Sequence, residues 1–505
     1  MALFTDLEIG RKEAGQYATL VPVSSYKTIK RAEKTLLEIN FDVSIFSLHS
    51  SHPFQQVIAG DVLGVLPENS VDDLIRLQRY LRKDEAETYF LKGRYESDEG
   101  KNYSREEALK SVALNPVRIE TLQLLKERLE ELQDVPATLE KGKYILHNII
   151  QTYQEDATAG QRLLKHHHLL DVLEYLPDLI TLQEVCDLQK GIPRRVYTIS
   201  GIERNKEGVP LSIQILVAAD VNYIVPEGGF QAGNQHFGKA VGYLRNVLDT
   251  SSMANIFVQP RSFGAPEKQR TFLPRSSNFP APAFLRKLEI PLLLVAAGSG
   301  ISGIRAILEE RAYWKEQGYR VGKAKLIFGI HCRTKDFLCQ EDWKRFQTLG
   351  ILETNIELAE SRSVQGKEKK YVQDVLADGH FYNDLKAIAQ QRAAIVICGD
   401  WRMGRSLLKA YLPFLLPLTR LEQLPTDLQE NLHDPRRSDL RRLFEIGTAK
   451  VKSLRDARYI CASVSGSRYQ KRKYTPEEEF EFFLEELGWD QMMEIISRLD
   501  LPFLA

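Results

Sequence analysis

The sequence is short of the devices that staple a chain from outside or draw it to a charged surface. Its five cysteines, Cys186, Cys332, Cys339, Cys398 and Cys461, are odd in number and widely scattered, which fits a reducing, cytoplasmic compartment better than a disulfide framework. Cys332 and Cys339 have no companion pair at metal-ligand spacing, so no zinc site is expected. Long apolar runs are also missing. Pro291–Ala297 and Ala393–Cys398 are the longest; they fall far below the roughly 20 residues that cross a bilayer and read as buried strands. Net charge is absent, since 68 basic residues balance 68 acidic ones, and no general field attracts nucleic acid or an anionic membrane. Asp6 and Glu8 stand where a secretory leader needs basic residues and an unbroken apolar core, so export is not expected.

What is present is a chain of 505 residues, enough for two or three domains with substantial cores. Ala18–Val23, Val43–Leu48 and Gly60–Pro67 are β-like and suggest antiparallel sheet. From about Val71 the rhythm turns helical. Ile119, Leu122, Leu125, Leu129 and Leu132 recur at three- and four-residue spacing, and Tyr144–Tyr153 and Gln161–Tyr175 read as further helices. Strand character returns at Arg195–Ser200 and Leu211–Ala218. Beyond Pro280, apolar strands at Leu292–Val295, Lys325–Phe328, Asn355–Leu358 and Ala394–Cys398 alternate with helical stretches such as Ile301–Trp314, the signature of a parallel sheet flanked by helices. Arg261–Pro282, rich in Pro, Ser, Arg and Gly, reads as a long loop. Thr475-Pro476-Glu477-Glu478-Glu479 has the cap, proline and acids of a helix start; that helix either packs on the body or docks a partner.

Several short elements carry chemistry. Ala296-Ala297-Gly298-Ser299-Gly300 directly follows an apolar strand and precedes a helix. Small residues there let backbone N–H groups approach a pyrophosphate, and the helix dipole favours the anion; a tight turn with no ligand has the same look. Downstream, in order, come Leu326-Ile327-Phe328-Gly329, Asp336-Phe337-Leu338, Ser361-Arg362, Lys369-Lys370-Tyr371-Val372-Gln373 and Cys398-Gly399-Asp400. His166-His167-His168 cannot converge on one ion from consecutive helical positions, and reads as helix surface.

Together these elements resemble the NADPH-binding domain of the diflavin reductases, a branch of the ferredoxin-NADP reductase superfamily that includes the sulfite reductase flavoproteins. Gly60–Asn69 is similar to that family's opening barrel strand and turn. Arg195-Val196-Tyr197-Thr198-Ile199-Ser200 matches its R-x-Y-[ST] flavin motif, and the resemblance runs from about Gln16 to Tyr474. It implies an FAD-binding antiparallel β-barrel split over residues 1–70 and 186–285 and interrupted by a helical connecting domain over 71–185. A Rossmann-like parallel-sheet NADP-binding domain over 286–474 and a helical extension over 475–505 would follow. The resemblance starts where relatives have already finished a flavodoxin domain. No fused flavodoxin is therefore expected, and a separate electron acceptor is implied: a flavodoxin-like, haem or iron–sulfur protein.

The resemblance also implies roles. Arg195 would pair with the FAD pyrophosphate, a task suited to the guanidinium fork, Tyr197 would lie against the isoalloxazine, and Thr198 would hydrogen-bond near flavin N5. Ile199 and Ser200 complete that flavin strand, and Gly238, Ala240 and Val241 form the pyrophosphate turn. For NADPH, Gly298, Ser299 and Gly300 would cradle the pyrophosphate. Ser361, Arg362 and Lys369 would hold the 2′-phosphate, with Tyr371 and Gln373 facing the adenosine. Cys398 and Asp400 would lie near the nicotinamide, although a small residue ending a buried strand explains Cys398 equally well. Tyr474 would shield the flavin face.

The chain departs from the family pattern in places. Val241 stands where relatives have a hydroxyl, Ser302-Gly303-Ile304 replaces Ala-Pro-Phe, Met403 comes one residue early, and Arg472 replaces an acid. The expected function is an NADPH-dependent FAD reductase; a reductase-derived nucleotide-binding or regulatory module without turnover is the alternative that these departures raise.

Overall fold

The computed structural model describes residues 12–13, 16–17, 19–30, 35–46, 54, 57–84, 86–91, 100–164, 167–219, 229–230, 239–259, 288–333, 337–362, 369–377, 394–399, 403 and 461–464. Two principal sheets organise its strands. The first contains β1 (Thr19–Lys30), β2 (Thr35–Asp42), β3 (Val62–Val65), β4 (Arg195–Arg204), β5 (Pro210–Ala219) and β6 (Met253–Gln259), closed into an antiparallel barrel in the order β6-β1-β2-β5-β4-β3. Its strands follow the two-residue period of a half-buried sheet. Leu37, Ile39 and Phe41 of β2 and Ile213, Ile215 and Val217 of β5 are buried, with more exposed residues between them.

The second sheet is parallel throughout and consists of β7 (Leu292–Ala297), β8 (Ala324–Ile330), β9 (Leu352–Glu360), β10 (Ala394–Gly399) and β11 (Cys461–Val464), in the order β9-β8-β7-β10-β11. Chain order reverses at β7, the position where open α/β sheets create a crevice beyond their carboxyl ends. Leu292–Ala296 are all buried, because a strand inside such a sheet is covered on both faces and becomes continuously apolar.

By compactness the chain forms two units. One comprises Met1–Ser50, Leu63–Tyr197 and Val217–Gln259; the other comprises Ser51–Val62, Thr198–Leu216 and Pro260–Ala505. The first unit holds α1 (Val71–Tyr80), α2 (Arg105–Ser111), α3 (Ile119–Glu130), α4 (Ala137–Glu155), α5 (Ala157–Leu164), α6 (Leu169–Tyr175), α7 (Leu182–Gln189) and α8 (Lys239–Asp249). Short helices need good ends, and these have them: Ser104 with Glu107 and Thr181 with Glu184 form capping boxes at α2 and α7. Leu122, Leu125 and Leu129 of α3 join Ile145, Ile149 and Leu173 in one core. The second unit holds α9 (Ile301–Glu316), α10 (Gln340–Thr348) and α11 (Val372–Ala377). Among the described residues no helix is long and apolar enough to cross a membrane.

Three local expectations are corrected. Of the expected strand Val43–Leu48, the described part Val43–Phe46 is not a strand: β2 ends at Asp42, whose carboxylate accepts from the Ser44 N–H at 2.9 Å and the Ser44 hydroxyl at 2.6 Å, turning the chain into a 3-10 turn at Ser44–Phe46. Gln161–Tyr175 is two helices, α5 and α6. The break between them buries His167 and His168, at 1% and 9% exposure, instead of leaving them on a helix surface. His167 Nδ1 donates to the Leu163 carbonyl at 2.8 Å while its Nε2 accepts from the Phe230 N–H at 3.3 Å, and His168 caps α6. The imidazoles are consumed as backbone partners.

A partly buried polar cluster fastens the helical part. Asp84 accepts from the Tyr89 hydroxyl and, at 2.7 Å, from Arg105, and its second oxygen accepts from the Leu182 N–H at 3.1 Å. Burial pushes its carboxyl up, but these donors outweigh burial and hold it below the usual carboxylate range. The stabilisation is therefore present above the unfolded value of about 3.9 and is lost as pH falls through the lower folded value. Asp84→Asn should cost about 1–3 kcal/mol at pH 7 and flatten the loss of stability as pH falls below about 3.9, both read by urea unfolding; an unchanged acid limb would remove Asp84 as its source.

Candidate functional site

At the carboxyl end of β7 the chain enters a turn, Gly298–Gly300, and then α9. Gly298 has φ +55° and faces open space, with nothing within 4 Å of where a side chain would begin. That backbone conformation is strained for any other residue. Gly300 differs, because a Cβ there would collide with the Cys398 carbonyl and lie 2.9 Å from the Gly399 nitrogen. Two elements far apart in sequence, Gly298-Ser299-Gly300 and Cys398-Gly399, thus meet backbone to backbone at the switch in strand order. Gly300 is also the N-cap of α9 and supplies no side-chain cap. The first amides of a sixteen-residue helix therefore lie beneath an open turn, a setting that fits an anionic phosphate.

One strand further out, β8 and β9 bring the second group together. The Ser361 N–H and hydroxyl both donate to the Ile330 carbonyl, at 2.9 and 3.2 Å, and the Arg362 N–H donates to the His331 carbonyl at 2.9 Å. The chain then returns so that the Lys370 N–H donates to the Glu360 carbonyl at 2.9 Å. Ser361 and Lys369 are thereby each one residue from a bonded backbone pair, and Arg362 and Lys369 are both exposed. Tyr371 is 48% exposed and its N–H donates to Asp374 at 2.7 Å, which starts α11. Gln373 is half-buried in that helix, and Val372 packs over Gly329 at the end of β8. The Ser361 hydroxyl would have to leave Ile330 to serve a phosphate.

In the barrel, Arg195, Tyr197 and Thr198 are half-buried, while Ile199 and Ser200 are completely buried. Burial pushes the Tyr197 phenol up to about 12 against the pull of Arg195, so it stays protonated at neutral pH. The Thr198 hydroxyl has no hydrogen-bond partner among the described residues. Ile199 exchanges backbone bonds with the turn before β3, accepting from Gly60 and donating to Asp61, both at 2.8 Å. The Ser200 hydroxyl donates to the Gln214 carbonyl at 3.2 Å, so Ile199 and Ser200 can offer a ligand only backbone. Ala240 and Val241 are each 4% exposed in the first turn of α8, where Val241 fills core. Cys398 is buried at the end of β10. Gly238, Asp400 and Tyr474 lie outside the described residues.

Comparison with known proteins agrees with this geometry. Residues 294–409 match the family model of the oxidoreductase NAD-binding domain. The chain is 27% identical over 415 residues to the sulfite reductase (NADPH) flavoprotein alpha-component of Mannheimia succiniciproducens, covering 81% of this chain and 59% of that protein. It is 26% identical over 393 residues to the same component from Yersinia enterocolitica, covering 77% of this chain and 54% of the relative. The chain is thus similar to the sulfite reductase flavoproteins along most of its length and matches an oxidoreductase NAD-binding domain in its α/β part. The chain spans little more than half the length of these relatives.

Sequence reasoning about the module missed two residues that the structure makes prominent, Arg204 and Glu310. They form a buried ion pair at 2.8 Å. Lone charges in a strand and a helix give no local sign of a partner 106 residues away.

The two glycines of the turn make different predictions. Gly300→Ala forces backbone apart at Cys398 and should cost about 1–3 kcal/mol, with 2′,5′-ADP binding lost in calorimetry. Gly298→Ala meets only conformational strain of about 1–2 kcal/mol. Equal effects of the two substitutions on ADP binding would contradict the close approach at residue 300.

Proposed function

We propose that the module binds FAD and NADPH and passes electrons from NADPH through FAD to a separate acceptor protein. The observation that carries this reading is the meeting of Gly298–Gly300 with Cys398-Gly399 at the carboxyl edge of the parallel sheet, one strand from Ser361, Arg362 and Lys369. An open glycine turn over an uncapped helix suits a pyrophosphate, and two exposed cations suit the 2′-phosphate that separates NADPH from NADH. When bound, FAD supplies the capacity to take up a hydride and release electrons singly or in pairs.

The chain's own residues bind and orient. Arg195 is the cation for the flavin pyrophosphate, neutral Tyr197 the aromatic wall, and Thr198 the donor near the ring edge where hydride arrives. Backbone N–H groups at Gly238, Ala240 and Val241 take over from the missing hydroxyl, since they require no particular side chain. Cys398 and Asp400 lie toward the nicotinamide, and Tyr474 covers the flavin. We assign FAD to the barrel over 1–70 and 186–285 and NADPH to 286–474, with the connecting domain at 71–185 and a helical extension at 475–505. The acceptor is a flavodoxin-like, haem or iron–sulfur protein. The odd, scattered cysteines support a reducing, cytoplasmic setting.

The burial of Val241 favours one second reading, a reductase-derived module that retains nucleotides without turnover. Steady-state NADPH oxidation with ferricyanide separates the two, and robust turnover excludes the second.

Purified with FAD supplied, the protein should be yellow, and NADPH should bleach it anaerobically much faster than NADH; absence of bound flavin would overturn the proposal. Arg362→Ala with Lys369→Ala removes two charge-assisted contacts of roughly 1.5–3 kcal/mol each. KM for NADPH should rise by about tenfold or more per residue while KM for NADH stays put. Equal losses for both would remove the 2′-phosphate assignment.

A further inference from the structure

Helix α9 begins at the nucleotide turn, and about nine residues on, roughly 13 Å along its axis, it carries Glu310. This carboxylate is 3% exposed. Its Oε2 accepts from Arg204 Nη2 of β4 at 2.8 Å and from the backbone N–H of Ala59 at 3.3 Å. The residues that follow Ala59, Gly60 and Asp61, are those that exchange backbone bonds with Ile199, the neighbour of Thr198. The Arg204 guanidinium in turn stacks 4.4 Å from the ring centre of Tyr313, one turn further along α9. A second tether runs parallel to the first: Arg305 donates to Gln214 at 3.3 Å, and Gln214 pairs in register with Gly201, three residues after Thr198. The helix that starts the nucleotide turn is thus gripped from two sides by the hairpin that carries Thr198.

Burying an ion pair gives little net stability, because desolvating both charges offsets their attraction. What this pair does supply is a fixed direction. With Arg204 Nη2 and the Ala59 N–H converging on one oxygen, Oε2, the carboxylate cannot slide away without losing a charge-assisted bond. Resting on the reductase reading, we propose that Glu310, held by Arg204, is a positioning residue for hydride transfer: it sets the register between the turn at Gly298–Gly300 and the strand at Thr198. Reaction across such a gap is sensitive to misplacement, since about 1 Å can cost about a hundredfold in rate. Neither residue touches a nucleotide, so binding and rate separate.

The test uses the full-length, FAD-loaded protein. Glu310→Gln should slow anaerobic flavin reduction at saturating NADPH by about tenfold or more. Affinity for 2′,5′-ADP, measured by calorimetry, should stay within about twofold, because the phosphate-binding groups lie elsewhere. Amide exchange should accelerate at Ala59 and Ile199, a change that does not depend on turnover. Arg204→Lys, which keeps the charge but loses the fork and the stack on Tyr313, should restore part of the rate relative to Arg204→Met. If Glu310→Gln leaves Arg204 stranded and the protein does not fold, Arg204→Met with Glu310→Gln removes both charges and is judged on the same readouts. An unchanged reduction rate overturns the proposal. So does a parallel fall in rate and ADP affinity, which is the mark of a merely loosened fold. A wild-type protein that NADPH cannot reduce removes the reductase reading and this proposal together; a reducible wild type with equally fast variants removes the proposal alone.

Discussion

The α/β part depends on a contact in which no side chain takes part. The Cys398 carbonyl occupies the space that a side chain at residue 300 would need. Because the two backbones meet there, β7 and β10 lie side by side up to their ends, and the turn above β7 remains low and open. The opening at Gly298, the uncapped start of α9 and the neighbouring loop after β9 are arranged around that approach. An anion approaching this edge would therefore meet main-chain amides first, with side chains left to choose between anions.

Much of this was legible in the sequence because its physical causes are local. A strand buried on both faces must be continuously apolar, so the interior strands β7, β8 and β10 announced themselves, and glycines after such a strand marked the turn. Features that failed to show are those decided by distant partners. Asp42 ends β2 through a side chain that could equally have pointed into solvent. The three histidines looked like polar surface because Phe230, which takes up His167, lies 63 residues away. Glu309, Glu310 and Arg311 adjoin in the sequence, yet Glu310 is 3% exposed and Arg311 not at all.

Arg311 shows how far such concealment goes. Its guanidinium donates to the carbonyls of Gly322 and Ile290 at 2.7 Å each, joining the lead-in segments of β8 and β7 at the end opposite the nucleotide turn. Burial pushes it down to about 9. Helix α9 is thus anchored at its rear by Arg311 and at its flank by Arg204 and Gln214. An amphipathic stripe alone would have let it roll; polar pins at three heights fix its angle.

The burial of Phe230 bears on how such a chain can be cut. Phe230 belongs to the stretch between β5 and α8, yet it is completely buried in the cluster of the helical insert, edge-on to His167 at 5.9 Å and to Tyr175 at 5.6 Å. The insert is consequently not a cassette that could be lifted out to leave an intact barrel. Excising it would strip a phenyl ring of its surroundings and leave an amide without its imidazole partner.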